Sequence, residues 1–444
     1  MAGGIWLSQN KVRPGAYINF KAVPKSNMTT GDRGIVAMGL PLNWGKQGEI
    51  IEVLSSDLID GTSEKLIGYT AFDSEAKLIV GALSYAYKAL IYRMDAGGSK
   101  ASATIGALTV TAKYNGTFGN KINIAVSKDK TNGLMNIITY VNGNSLDSQK
   151  VSNINELDDN DYVTFSGSGE IDETSGTPLS GGTNGTVTDS VAYPNMFKKL
   201  KLSKWQIYAC FSSETSIKSS VIEFIEQMRE DEGKYVQAVV ADYDGADYEG
   251  IINSISSAIV NDIEYSKEDF VSIVAGMTAG SNFNESNTGK AIKGATSIIN
   301  ELTDTEIKEA LSNGKFLIST STKGVIKVEQ DINSLHTFTK EKDYNFSKNR
   351  VIRTLDEIGT SIVMTWEDTY MGKVDNTDTG RGLFQSDLIV YGNELQRLGG
   401  IQEFKGSDDI SISQGNNLDS VVVNWFVKPV DSMEKLYMTV KVNS

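Results

Sequence analysis

The side chains that could carry chemistry are few. The 444-residue chain has one histidine, His336, and one cysteine, Cys210. A Ser-His-Asp relay needs an imidazole between its nucleophile and its carboxylate, and His336 sits in Asp331-Ile-Asn-Ser-Leu-His-Thr-Phe338, away from any glycine-flanked serine elbow. Zinc sites draw on several His or Cys ligands, so this lone imidazole reads as structural or solvent-facing. The run Gly39-Leu-Pro-Leu-Asn-Trp-Gly45-Lys46 is close to a phosphate-binding loop, but it has one residue too many between its glycines, and Gln47 stands where Ser or Thr would reach magnesium. No glycine pattern meets the dinucleotide fingerprint. Asp242-Tyr-Asp244-Gly245-Ala-Asp247 and Asp375-Asn-Thr-Asp378-Thr-Gly380 gather carboxylates as calcium loops do, yet their spacing is out of step with the hand loop, and Asp, Asn and Gly are also the residues of solvated turns. Asp158-Asp159 lies in polar loop sequence. Cys210, inside the apolar Trp205–Phe211, reads as a buried strand residue, and a single cysteine forms no internal disulfide. The expectation is a non-enzymatic chain with no catalytic, cofactor-binding or metal-ligating residue.

With chemistry set aside, the two ends of the chain stand out. Leu436, Met438, Val440 and Val442 alternate with Tyr437, Thr439 and Lys441, which is the pattern of a half-buried strand at an extremity. Upstream, Val421-Val-Val423-Asn-Trp425-Phe-Val427 is a second extended run, with a turn expected through Lys428, Pro429, Val430 and Asp431. Near the start, Pro14-Gly15 precedes Ala16-Tyr17-Ile18-Asn19-Phe20, again strand-like. A terminal strand needs a sheet edge to satisfy its backbone, in its own domain or in another copy of the chain. Two such ends suggest a protein that links to its neighbours.

The elements between the ends fall into blocks. Length alone allows two to four domains. Lys plus Arg number 42 against 56 Asp plus Glu, a formal charge of −14 that disfavours phosphate-driven nucleic-acid binding. No apolar run has the length of a membrane span and the start lacks a signal-peptide pattern, so a soluble chain is expected, and Asn115 and Asn184 are chance glycosylation triplets. Residues 1–25 are read as an N-terminal arm and 26–96 as a small α/β segment, with a strand over Gly34–Gly39, helical spacing from Asp73 to Ala89 and a strand to Met94. Residues 97–193, rich in Gly, Ser, Thr, Asn and Asp, carry short strands near Ala107–Lys113, Lys121–Ser127 and Met135–Val141 separated by turn pairs such as Asn142-Gly143, the mark of an inserted antiparallel β-sandwich. From 194 to 340 strands and helices alternate: strands at Trp205–Phe211, Tyr235–Ala241, Phe270–Gly276 and Lys315–Thr320, helices at Ser213–Glu232 and Tyr248–Val260, and a capping box at Thr303-Asp-Thr-Glu306. That rhythm implies a parallel-sheet α/β domain. Residues 341–428 form an α+β C-terminal domain with helices near Ser347–Gly359 and Leu383–Leu398, and 429–444 form a C-terminal arm. The fold class is α+β and α/β multidomain with extended strand arms.

These residues resemble those of the contractile tail sheath proteins of bacteriophages and phage-tail-like particles. Gln9-Asn-Lys-Val-Arg-Pro-Gly-Ala-Tyr-Ile-Asn-Phe20 is similar to the family's N-terminal arm and Gly39–Gly45 to the segment after it. Tyr114-Asn-Gly-Thr-Phe-Gly-Asn120 and Leu179-Ser-Gly-Gly-Thr-Asn-Gly185 are similar to stretches within and closing its sandwich; Ala275-Gly276 with Ala279-Gly280 and Asn284–Thr288 to a loop of its α/β domain; and Asp331–Leu335, Asn349-Arg350-Val351, Leu355-Asp356 and Gly380-Arg381 to parts of the C-terminal domain and its approach. The match runs in order along nearly the whole chain. It implies a structural subunit that stacks as hexameric rings around a tail tube and contracts to drive the tube through the bacterial envelope. Partners would be further copies of itself, the tail tube protein, and baseplate and terminator proteins, with no nucleic acid or membrane. The location would be the virion tail, with assembly in the host cytoplasm. The resemblance makes Pro14, Tyr17, Ile18, Phe20, Val421, Val423, Trp425, Leu436, Met438, Val440 and Val442 intersubunit arm residues, with hinges near Lys21–Ser26 and Leu418–Ser420. Asp387, Glu394 and Arg397 on the Leu383–Leu398 helix are candidate tube-facing residues. The competing readings are a subtilisin-like hydrolase, since the middle of the family resembles that α/β fold, and a monomeric adhesin built on the sandwich.

Overall fold

The computed structural model describes residues 2–4, 15–17 and 33–442. The chain divides into a larger compact unit, 32–357 with 431–444, and a smaller one, 1–31 with 358–430. Its class is mixed, with a parallel-sheet α/β domain, an antiparallel sandwich inserted into it and an α+β C-terminal domain.

Seven strands order the larger unit: Lys315–Phe316, Ile251–Ser254, Gln237–Ala241, Ile207–Ala209, Ile35–Leu40, Lys88–Arg93 and Ile50–Leu54. All neighbours are parallel except the last pair, which is antiparallel. Both faces are covered, so successive residues go to opposite cores. Val36, Met38, Ala209, Val239 and Ala241 meet Phe270, Val274 and Met277, whereas Ile35, Ala37, Tyr208, Cys210, Ala238 and Val240 meet Met196, Phe224 and Ile225. Burial pushes the Cys210 thiol up to about 11, which keeps it protonated and inert at neutral pH.

Two elements differ from expectation. Phe270–Gly276, expected as a strand, lies inside the helix Lys267–Gly280, in which every residue from Phe270 to Ala279 is buried. A helix covered on all sides loses its 3.6-residue periodicity and looks like a buried strand. The signal that identifies it is the capping box, in which Ser266 Oγ accepts from the Asp269 N–H and the Asp269 side chain accepts from the Ser266 N–H. Tyr248–Val260, expected as a helix, holds two strands, Ile251–Ser254 and Ala258–Val260. Its helix-like apolar spacing comes from one strand buried on both faces and a second that follows after three intervening residues.

The insert is two facing sheets. One runs Asn144–Val151, Met135–Val141, Ile122–Lys128, Thr174–Pro178; the other Val163–Gly167, Leu108–Ala112, Ser102–Ile105. Asn142 and Gly143 both have positive φ and close the hairpin between Val141 and Asn144, as an Asn-Gly pair does in a two-residue loop. The neck of the insert is closed by bridges from Ala96 to Thr186 and from Ser99 to Thr183. Beneath it a buried ion pair gathers the junction. Arg93 Nε and Nη2 donate to Asp95, and Arg93 Nη1 donates to the Gly45 and Asn115 carbonyls. Asp95 also accepts from the Leu42 and Gly185 N–H groups and from Gln47. Burial alone would raise the Asp95 carboxyl, but Arg93 and these donors hold it below its ordinary range. Trp44 reaches from the α/β segment into the sandwich core, fully buried, 4.9 Å from the Phe118 ring and 5.1 Å from Tyr114, with its indole N–H on the Lys65 carbonyl.

The smaller unit contains the helix Asp378–Arg397, which buries Phe384, Leu388, Tyr391 and Leu395, and an antiparallel hairpin of Ile410–Gln414 and Val421–Trp425. Trp425 packs 6.0 Å from Phe404 and 6.2 Å from Tyr391. Gly392 allows that approach, because a Cβ there would lie 2.5 Å from the Phe404 ring. Among the described residues no helix is long and apolar enough to cross a membrane.

Truncating Trp44 to alanine is expected to destabilise the protein by ~3–5 kcal/mol, the range for a fully buried large aromatic. Ile59→Ala, at an 88% exposed position, is expected to stay within ~0.5 kcal/mol. Chemical denaturation followed by tryptophan fluorescence and far-UV circular dichroism checks both.

Candidate functional site

The residues singled out for chemistry are engaged in structure. His336 Nδ1 lies 2.9 Å from the Ser334 carbonyl and 3.3 Å from Asp247, while the His336 and Thr337 N–H groups both donate to Asp247 Oδ1. The imidazole therefore closes a turn around a carboxylate. Asp242 and Asp244, weighed as calcium ligands, pair with lysines: Lys267 is 2.6 Å and Lys315 3.2 Å from Asp242, and Lys315 is 2.7 Å from Asp244. In the second acidic loop, Thr377 caps the helix Asp378–Arg397 through the Gly380 N–H, and Asn376 Nδ2 holds the Leu418 and Ser420 carbonyls. Among the described residues no His, Cys, Asp or Glu group is arranged to hold a metal.

The arms give a different picture. Ala2–Gly4 pairs in parallel with Gly15–Tyr17, so Tyr17 is in a strand; Pro14, Ile18, Phe20 and the expected hinge at Lys21–Ser26 lie outside the described residues. Val421, Val423 and Trp425 are in the hairpin, directly opposite Gln414, Ile412 and Ile410 of the same chain. One edge of that strand is thus occupied within the chain, and its other edge has no partner among the described residues. Leu418–Ser420, expected as a hinge, is the hairpin's closed turn. The Gly415 N–H donates to the Ser420 carbonyl, the Ser420 N–H to Asn417, and Asn376 clamps it from outside. Lys428–Val430 is extended rather than turned: the Gln402 N–H donates to the Lys428 carbonyl, the Val430 N–H donates to the Gly400 carbonyl, and Ile401 bridges Pro429.

Beyond Val430 the chain belongs to the larger unit. Residues 435–442 are all exposed and carry no strand pairing among the described residues, with Leu436 84% and Val442 87% exposed. Met438 and Val440 are similarly open. Glu434 is the exception in this stretch, at 11% side-chain exposure. Its carboxylate accepts from Thr288 Oγ1 at 2.7 Å, from Gln330 Nε2 at 2.6 Å and from the Lys348 ammonium, itself 5% exposed. Burial would raise the Glu434 carboxyl, but these three donors outweigh it and hold the group below its ordinary range; Lys348, pushed down by burial, is carried above its own range by Glu434.

The sequence did not single out Glu434, because its three partners come from distant segments. The candidate tube-facing residues separate in the same way. Asp387 accepts from the Tyr370 hydroxyl at 2.7 Å, whereas Glu394 and Arg397, one helical turn apart, pair with each other at the surface.

Three family models align with this architecture: the phage tail sheath beta-sandwich domain over residues 96–184, the central domain over 195–334 and the C-terminal domain over 341–443. The chain belongs to the phage tail sheath family. The sheath tail protein of Desulfitobacterium hafniense is 37% identical, with 96% of this chain and 99% of that one covered and a TM-score of 0.81. The sheath tail protein Lin1278 of Listeria innocua is 34% identical over 93% and 96%, with a TM-score of 0.82. The helical sheath of the anti-feeding prophage in its contracted state shares the fold at 10% identity, covering 97% and 99% at a TM-score of 0.57. The sheath subunit is a structural component of a phage tail or tail-like particle.

The shifts at the sheath's Glu434 fix a pH dependence. A lowered carboxylate pKa contributes docking free energy above the ordinary value of 4.5 and loses it as pH falls through the lowered one. The raised Lys348 contributes below its ordinary 10.5 and loses this only as pH rises through the higher value. The Glu434 contact therefore contributes fully across neutral pH and weakens on acidification. A carbon-13 NMR titration, assigned with Glu434→Gln, is expected to place the Glu434 carboxyl midpoint below 4.5.

Proposed function

We propose that this sheath subunit polymerises as stacked hexameric rings around a tail tube, and that the finished sheath contracts to drive the tube through the bacterial envelope. The observation that carries this reading is residues 435–442: an alternating apolar strand sequence exposed to water, on a chain whose C-terminal hairpin pairs with no third strand among the described residues. An exposed contiguous apolar strip marks an interaction surface, and an edge strand is a ready template for another chain. The tail of one copy, and the N-terminal arm around Pro14, Tyr17, Ile18 and Phe20, add to the hairpin of another through the free edges of Val421–Trp425 and Ile410–Gln414.

Magnitudes favour such a junction. About six backbone hydrogen bonds at ~0.5–1.5 kcal/mol each supply several kcal/mol. Burying Leu436, Met438, Val440 and Val442 at ~1.5–3 kcal/mol each is worth at least as much, so side-chain fit decides the partner. One junction is weak, and closure around a ring makes the set strong, because later contacts form at high effective concentration. The energy for contraction resides in the extended lattice as a metastable state released when body surfaces exchange while the arms hold. Glu394 and Arg397 face the tube protein, with Asp387 fixing the helix through Tyr370. Baseplate and terminator proteins cap the two ends, and assembly takes place in the host cytoplasm.

Removing residues 435–444, or residues 1–20, is expected to leave folded subunits that no longer form tubes in negative stain. Val440→Asp should do the same by placing a charge on the buried face. Normal tubes from either truncation would sink the arm-exchange reading.

A further inference from the structure

Glu434 is gripped by donors from three segments far apart in sequence: Thr288 after the loop that follows the helix Lys267–Gly280, Gln330 after the strand Ile326–Val328, and Lys348 just before the helix that begins at Asn349. The residues behind these donors are held by bonds that do not involve Glu434. The Asp331 N–H donates to Thr288 Oγ1, and Asp331 accepts from the Asn287 N–H, Asn349 Nδ2 and Arg353 Nη2. Asp431 stands 3.9 Å from the same ammonium, so the approach of the tail is also steered. A hydroxyl, an amide and an ammonium converging on two oxygens match a carboxylate in both charge and donor count. An exposed tail gains nothing from immobilising one glutamate unless the point of attachment matters, since ordering chain costs entropy.

We propose that Thr288, Gln330 and Lys348 form a carboxylate receptor that retains Glu434 of its own chain, fixing the point where the C-terminal tail departs, so that 435–442 is the part delivered to a second copy. The inference rests on arm exchange for its purpose but not for its existence, because retention is measurable in the lone subunit. The Lys348 ammonium is nearly buried, and removing its counter-charge leaves it poorly compensated, so the receptor holds its occupant strongly. Retention turns a free end into one whose reach is the length of 435–442, which confines it to a partner at a set distance and raises its local concentration there.

The test uses the full chain and Glu434→Gln, an isosteric change that removes the charge and keeps the side chain's size. In isolated subunits, hydrogen–deuterium exchange of the amides at 431–435 is expected to speed up by on the order of tenfold in Glu434→Gln, and in Lys348→Met. Unchanged exchange in Glu434→Gln overturns the receptor. In assembly, Glu434→Gln is expected to form tubes at least several-fold more slowly than the wild type; tubes at the wild-type rate overturn the positioning role. Mixing Glu434→Gln with Lys348→Met separates the donor of the carboxylate. Retention within the chain predicts no rescue, and restored assembly means that the tail of a second copy fills the receptor, which overturns retention. Failure of the exchange reading itself shows separately, as normal tubes from the chain lacking 435–444.

Discussion

A strand cannot satisfy its own backbone. Every N–H and C=O in an extended segment points sideways, and a sequence that alternates apolar with polar residues also needs a surface for its apolar side. Among the described residues, 435–442 meet neither need, and the hairpin of Ile410–Gln414 and Val421–Trp425 pairs with no third strand, the Ile410 carbonyl accepting instead from the Gln385 side chain. This imbalance of open edges and an unpaired strand-like segment is the constraint on which the proposed exchange of arms rests. The remainder of the chain supplies rigid bodies from which such ends can be presented.

Rigidity comes from different devices in different places. The seven-stranded sheet is buried on both faces, and its helices approach closely: a Cβ on Gly276 would lie 2.2 Å from the Ala82 carbonyl. At the neck of the sandwich it comes from polar bonds, with Arg93 and Asp95 gathering four backbone groups and the Gln47 amide between them. A buried ion pair adds little net stability over an apolar replacement, but it does so only in one arrangement of its partners, which suits a junction whose geometry must be unique. The pair of Arg229 with Asp356, at 2.7 Å and 2.9 Å, fastens the first turns of the helix Asn349–Thr365 in the same manner.

What could be seen in the sequence depended on how local its cause was. The Asn142-Gly143 hairpin, the capping box at Thr303 and Glu306, and the strand Met135–Val141 are each set by residues within a few positions of one another, and each is legible. The helix Lys267–Gly280 was hidden because complete burial erased its polar face. Val421–Trp425 was recognisable as a strand but not as half of a hairpin, since the alternating Ile410-Ser-Ile-Ser-Gln414 opposite it is short and polar. Glu434 was illegible for a deeper reason: a receptor built from Thr288, Gln330 and Lys348 exists only after folding brings them together.

Trp44 links the history of two modules. It is supplied by the body but completes the core of the insert, lying against Phe118 and Tyr114. Loss of the sandwich during evolution would leave an indole naked in water and a guanidinium at position 93 short of the Asn115 carbonyl it holds. A descendant that sheds the module must therefore change positions 44 and 93 as well, and lineages with and without the sandwich should differ there together.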